Sequence, residues 1–274
     1  MMDDRFTDQQ RLARRQVLAG LATAAVAGPA FAQGRASAGP ASPQLISDLV
    51  GANHILADQG VVDGFGHVSA RHDKNPERFL LSRSMAPGLV TPADLLEHDL
   101  DGEPVIPGGP MPYLERSIHA EIYRARPDVM SVVHSHSPGV IAFSITKQSP
   151  LRPTYHMGSF LGAGAPVFEI REGFGNDTDM LIRTPALGKA LAAKLGKHTV
   201  ALIRGHGFVA VGDNVRTAVM HAVYTEVNAR IQAEAMKMGP VTYLNEAEAA
   251  KISPQNDGLV NKNWDLWYAK AMGK

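Results

Sequence analysis

His134 and His136 stand as His-x-His at the end of the apolar run Ser131-Val132-Val133. His206 lies in Gly205-His206-Gly207, just after a second such run, Val200-Ala201-Leu202-Ile203-Arg204. Side chains on a strand alternate faces with a rise of about 3.3 Å per residue, so His134 and His136 project from one side, close enough to grip a single ion. A third imidazole from a neighbouring strand end leaves one coordination position open, as catalytic metal sites require. A His-x-His pair alone is weak evidence. Two buried-strand exits with a glycine-flanked third histidine make a metal-site candidate. The chain has no cysteine, so imidazole and carboxylate are the ligands available, and disulfides and a thiol nucleophile are excluded.

The surrounding elements are those that could hold such a site. Residues 45 to 59 carry apolar residues at helical spacing and stop at Gly60, a C′ glycine. Residues 68 to 71 and 78 to 82 read as short strands around a polar turn. Thr91-Pro92-Ala93-Asp94 opens a short helix, with Thr as N-cap and Pro at the first helical position. A helix is expected over 114 to 126, ended by Pro127, with Leu114, Ile118, Ile122 and Ala125 as its core stripe. Further helices are expected over 138 to 145, from Thr184-Pro185 to Gly196, and over 215 to 238. Strands over 199 to 204 and 208 to 211 should pair around His206. Gly162-Ala163-Gly164 precedes a proline rather than a helix and reads as a tight turn, not a dinucleotide fingerprint. Strands and helices interleave throughout, which predicts one α/β domain with helices on both faces of a sheet.

The 274 residues suffice for one large domain. Lys and Arg balance Asp and Glu at 27 each, so no charge excess argues for nucleic acid or an anionic membrane surface. Near the start, Arg14-Arg15 precedes the small apolar run from Val17 to Ala27, and Ala30-Phe31-Ala32 offers an A-x-A cleavage site. Residues 1 to 32 are therefore expected to be a signal peptide of the twin-arginine kind, addressing the protein to the periplasm. The apolar run is too short and too rich in Ala and Gly for a stable membrane anchor. Residues 33 to 44, rich in Gly, Ala, Ser and Pro, should form a flexible leader. The domain should occupy 45 to 252, with a tail over 253 to 274.

Taken together, Glu115-x-x-x-His119, Arg126-Pro127-Asp128, Val132-Val133-His134-Ser135-His136 and Gly205-His206-Gly207 resemble the class II aldolase/adducin family over about residues 45 to 240. That resemblance implies a three-layer α/β/α domain with a central, largely antiparallel or mixed sheet. It implies one divalent metal ion per subunit (Zn, Mn, Fe or Co) on His134, His136 and His206, and Glu115 as acid/base or displaceable ligand. It also implies a homotetramer with active sites near subunit borders. The tail aromatics Trp264, Trp267 and Tyr268 offer modest support for such an interface, although a tail packed on its own subunit would use them equally.

The sequence departs from the sugar-phosphate aldolases where they hold phosphate. Those enzymes use small hydroxyl residues before the glutamate, an Asn and a Thr-Gly; here Tyr113-Leu114, His67 and Ser84-Met85 stand instead. The loop Ser82-Arg83-Ser84-Met85, the segment Tyr113-Leu114-Glu115-Arg116 and Tyr155-His156-Met157-Gly158 are closer to a decarboxylase branch typified by hydroxy-methylpyridine-dicarboxylate decarboxylase. The expected function is a metal-dependent carbon–carbon lyase, a decarboxylase of a non-phosphorylated hydroxy- or keto-carboxylate. A retro-aldol aldehyde lyase and a non-catalytic adducin-like binding protein are the alternatives, and an oxygenase is open if the metal is iron. Arg83 would orient the substrate carboxylate as a guanidinium fork, with Ser84 and Tyr113 beside it. Glu115 or His156 would return the proton, and His67 would serve as a supporting group or acid. His119 is read as a buried supporting residue, and His54, His98 and His221 as structural.

Replacing both Arg14 and Arg15 with Lys should trap the precursor inside the cell, because the twin-arginine address needs both guanidinium groups. Immunoblotting of periplasmic and cytoplasmic fractions checks this; an undiminished periplasmic yield would argue for another route or no export.

Overall fold

The computed structural model describes residues 36–273. The expected signal peptide, the start of the leader and Lys274 lie outside the described residues. A seven-stranded sheet forms the middle layer, in the order β3 (Leu95–Asp99), β2 (Arg78–Ser82), β1 (His67–Arg71), β4 (Ser131–Ser135), β7 (Gly207–Gly212), β6 (Val200–Ile203) and β5 (Val167–Phe168). Every neighbouring pair is antiparallel except β5 with β6. The sheet is thus mixed and largely antiparallel, as expected.

Strand alternation divides the apolar residues between two cores. Val68, Ala70, Val133, Phe208 and Ala210 face α1 (Pro43–Asp58), α3 (Pro138–Ile145) and α6 (Val215–Met238). Phe79, Leu81, Val132, Ala201, Val209 and Val211 face α2 (Arg116–Ala125) and α5 (Pro185–Leu195). Buried on both faces, β4 and β7 read as continuous apolar runs rather than alternating ones, which is why they were prominent in the sequence. The edges were not. β3, with Glu97, His98 and Asp99, and the two-residue β5 carry no period of their own, and a four-residue helix, α4 (Arg171–Phe174), is likewise too short to announce itself.

Three expectations need correction. α1 starts at Pro43, with Ser42 as N-cap accepting from the Leu45 amide, so the leader is shorter than 33 to 44. Its described end is also held, through Ala38 N–H to Glu97 at 2.8 Å and Ser42 N–H to Asp73 at 2.9 Å. Helix α2 starts at Arg116, and Leu114 is 57 % exposed instead of forming the core stripe. The physical cause is Glu115, which occupies the N-cap with its side chain turned inward, so the preceding residue turns out. Finally, the boundary expected between 252 and 253 falls inside α7 (Glu246–Asp257), and a further helix, α8 (Val260–Ala271), follows it. Trp264 and Trp267 are buried against their own subunit, and Tyr268 packs so closely on α1 that a Cβ at Gly51 would stand 2.4 Å from its ring. Of the two roles the sequence left open for these aromatics, packing within their own chain is the one seen. Gly162 and Gly164 have positive φ, in keeping with the tight turn. Among the described residues no helix is long and apolar enough to cross a membrane.

Trp264→Ala should cost about 3–5 kcal/mol, the usual scale for emptying a buried indole site, and lower Tm by roughly 10 °C. Calorimetry checks this; an unchanged Tm with a smaller assembly by light scattering would return the tail to an interface.

Candidate metal centre

His134 leaves β4 on the same face as Val132, the face covered by α2, whose N-cap is Glu115. β4 pairs with β7 so that Ser135 lies opposite Phe208, and β6 pairs with β7 so that Ile203 lies opposite Gly207. The β6–β7 turn is thereby delivered to the end of β4, and His206 meets His136. Two glycines make the approach possible. Gly205 adopts φ +65°, and a Cβ at Gly207 would stand 1.9 Å from the Ser135 carbonyl oxygen, a backbone contact that cannot yield.

The structure brings together Glu115, His134, His136 and His206, with one ligand atom from each lying within 4.8 Å of all the others. The Nε2 atom of His136 is 3.1 Å from that of His134 and 2.9 Å from that of His206. The Oε2 atom of Glu115 is 3.4 Å from Nε2 of both His134 and His206. Nδ1 of His134 donates to the Phe208 carbonyl at 3.1 Å, and Nδ1 of His206 donates to the Met180 carbonyl at 2.9 Å. In their neutral forms both rings then turn a bare Nε2 lone pair toward the centre. Ligands held at 2.0–2.2 Å from one ion lie roughly 2.8–3.6 Å apart between octahedral and tetrahedral angles, so this donor set fits a divalent cation.

The electrostatics of the cluster agree. Burial, then the neighbouring imidazoles His134 and His206, holds His136 down at about 4, so it is a neutral ligand at pH 7. Burial would raise the Glu115 carboxyl, but hydrogen bonding and charge from His134 and His206 outweigh it and keep the group well below the usual carboxylate range. Burial would depress His206, yet Glu115 and the Met180 carbonyl raise it.

A short loop missed in the sequence supports two of the four ligands. The Met180 carbonyl accepts from His206, Leu181 lines the adjoining cleft, and the Ile182 amide donates to Glu115 Oε1 at 2.8 Å. Met180 takes φ +65°, the one positive φ among the described non-glycine residues, a conformation costing of order 1 kcal/mol. No sequence signal marks this loop, because its contribution is backbone.

A cleft of about 260 Å³ opens beside Glu115 and His136. Phe65, Met85, Leu114 and Leu181 provide apolar walls, and His67, Ser84 and Tyr113 provide polar ones. Ser84 and Tyr113 thus reach the cleft, although the Tyr113 hydroxyl is spent on the Met85 carbonyl and its ring packs 4.4 Å from that of His67. Arg83 does not reach it. A bridge to Pro112 sets residues 83 and 84 on opposite sides, and the Arg83 Nε donates to Asp94 at 2.7 Å. No lysine or arginine is among the residues lining the cleft. His156 is also outside the site. It is an exposed residue opening a 3-10 turn, His156–Leu161, packed on α6 and α7, with its carbonyl bonded by Asn256. His54, His98 and His221 are structural, as expected: His54 bonds the Val90 carbonyl, His98 packs on Phe79, and His221 on Phe160.

Single replacements of His134, His136 or His206 by Ala should each abolish stoichiometric metal binding while the domain stays folded, because these residues end strands rather than fill a core. Elemental analysis with circular dichroism checks this; full metal retention in all three variants would remove the assignment.

Residues 47–233 match the family model described as the class II aldolase and adducin N-terminal domain. The chain is 38 % identical over 237 residues to the decarboxylase tropJ of Talaromyces stipitatus, covering 78 % of this chain and 89 % of that protein. It is 34 % identical to a 3,4-dihydroxyphthalate decarboxylase from Terrabacter sp., covering 73 % and 83 %. Among solved structures it is similar to the L-fuculose 1-phosphate aldolase of Glaciozyma antarctica, with a TM-score of 0.69, 24 % identity, and 84 % and 90 % of the two chains covered, a likeness of fold. With that family model matched over most of the chain and a 38 % identical relative covered over most of its length, the chain belongs to the class II aldolase and adducin family.

Proposed function

We propose that this protein is a metal-dependent decarboxylase acting on a small aromatic acid that carries a hydroxyl next to its carboxylate. The observation that carries this reading is the cleft beside the His₃Glu cluster: apolar and aromatic walls with no cation to cradle a phosphate. The named decarboxylase relatives support the same reading. Imidazole and carboxylate donors accept Zn, Mn, Fe or Co, one ion per subunit. When bound, such an ion supplies positive charge that polarises the substrate oxygens and takes up the negative charge that carbon dioxide loss leaves on the carbon skeleton.

The chain's own groups divide the remaining work. Phe65, Leu114 and Leu181 offer apolar surfaces to flank a flat ring. Glu115, held ionised, takes the proton of the substrate hydroxyl. The carboxylate carbon–carbon bond then breaks, carbon dioxide departs, and the electron pair stays with the ring system. Glu115 returns its proton to that carbon, so charge and atoms balance. Arg83 has no part in this scheme, since Asp94 holds it away from the cleft. His156 has none either. We also propose a homotetramer, in which a neighbour covers the exposed Phe65 and Leu114 at the cleft mouth, and export to the periplasm. Light scattering of the wild type tests the assembly.

Metal-loaded protein offered 3,4-dihydroxyphthalate and related hydroxy-acids should release carbon dioxide, and Glu115→Gln should lower turnover by about 10²- to 10⁴-fold. Release of an aldehyde in place of carbon dioxide would turn the reading to aldol cleavage. Turnover unaffected by Glu115→Gln would leave that residue a ligand or a helix cap only.

A further inference from the structure

Behind the cleft wall runs a chain of four buried polar side chains that the scheme above does not use. Nδ1 of His67 is 2.6 Å from Nε2 of His119, Nδ1 of His119 is 2.6 Å from Ser69 Oγ, and Ser69 Oγ is 2.7 Å from the Tyr123 hydroxyl. All four residues are at most 3 % exposed. His67 alone of the four lines the cleft, and its Nε2 has no protein partner among the described residues.

Counting protons fixes the direction of this chain. With no acid in it and almost no water contact, both imidazoles are neutral, so the four groups hold four protons for three contacts. The fourth proton must sit at one end, on the Tyr123 oxygen pointing away or on His67 Nε2. Ser69 is the one hydrogen-bond acceptor within reach of the Tyr123 hydroxyl among the described residues. The Arg71 guanidinium, 4.7 Å from the Tyr123 ring centroid, repels a proton turned its way. Tyr123 therefore donates to Ser69, Ser69 to His119 Nδ1, and His119 Nε2–H to His67 Nδ1.

We propose that Tyr123, Ser69 and His119 are positioning residues that lock His67 as its neutral Nε2–H tautomer, a fixed hydrogen-bond donor to a carboxylate or phenolate oxygen of substrate in the cleft. The substrate part of this inference rests on the decarboxylase reading above; the lock does not. It also gives the cleft a neutral donor where no lysine or arginine is present. A neutral donor holds an anionic oxygen without the strong ion pair that would have to be broken as carbon dioxide leaves.

Long-range ¹⁵N–¹H NMR of zinc-loaded, ¹⁵N-labelled protein, with the His67 signals assigned by their loss in His67→Phe, reads the tautomer directly. The wild type should show His67 protonated at Nε2 alone at pH 7, and Tyr123→Phe should populate the Nδ1–H form. In turnover of 3,4-dihydroxyphthalate, His67→Phe should raise KM about 10- to 100-fold, the scale of one hydrogen bond to a charged group. Tyr123→Phe should raise it in the same direction by less. A wild-type His67 protonated at Nδ1 or at both nitrogens overturns the lock, as does a tautomer unmoved by Tyr123→Phe. An unchanged KM in His67→Phe overturns the donor role. Failure of the wild type to turn over this acid, with the Nε2–H signal in place, refutes the substrate reading and leaves the lock supported.

Discussion

Three imidazole nitrogens, that of His136 about 3 Å from each of the other two and both of those left bare by Nδ1–H bonds to backbone carbonyls, make an arrangement that repels itself unless a cation or proton sits between them. The surrounding structure is organised around this concentration of electron density. The β4–β7 register puts the Phe208 carbonyl on His134, a strained Met180 puts its carbonyl on His206, and Glu115 completes the ring with a negative charge. Each of these partners is backbone or buried, so the cluster is preorganised by the fold rather than by side-chain chance.

The two-core architecture explains how so polar a cluster is tolerated. It sits where the sheet ends, at the exit of β4 and the β6–β7 turn, while Val132, Val133, Val209 and Ala210 beneath it are fully buried. The apolar layers on both faces keep the strands from shifting, and a shift of one residue would send His134 to the opposite face. Rigidity at the sheet and openness at its end are thus two consequences of one topology.

Phosphate recognition and carboxylate recognition part at the cleft wall. In this chain the wall is Phe65, Leu114, Leu181 and the His67–Tyr113 pair, and the nearest sequence-flagged cation, Arg83, is committed to Asp94. An anion bound there meets imidazole and metal, with hydrophobic contact around it. That combination suits an acid whose charge is discharged during the reaction better than one that must be held as a dianion.

The sequence by itself determined much of the frame. The buried strands, the long helix over Val215–Met238, the glycine-flanked His206 and the His134–His136 pair were legible because their signals are local: apolar period, caps, and residue types with few other uses. It also led to Glu115, through a motif rather than through any physical period. Tertiary structure alone decided the rest. Whether Arg83 or Ser84 faces the cleft depends on a bridge to Pro112, and whether the tail aromatics meet a partner or α1 depends on the space that Gly51 leaves. His156 looked like an acid beside the site and lies apart from it, because a motif reports sequence neighbours, whereas a catalytic group is defined by distance. The Met180–Ile182 support left no trace in the sequence, since backbone carbonyls belong to every residue; His67 and His119 were legible as supporting residues, but their link through Ser69 to Tyr123 was not, because hydrogen-bond direction exists only once the neighbours are placed.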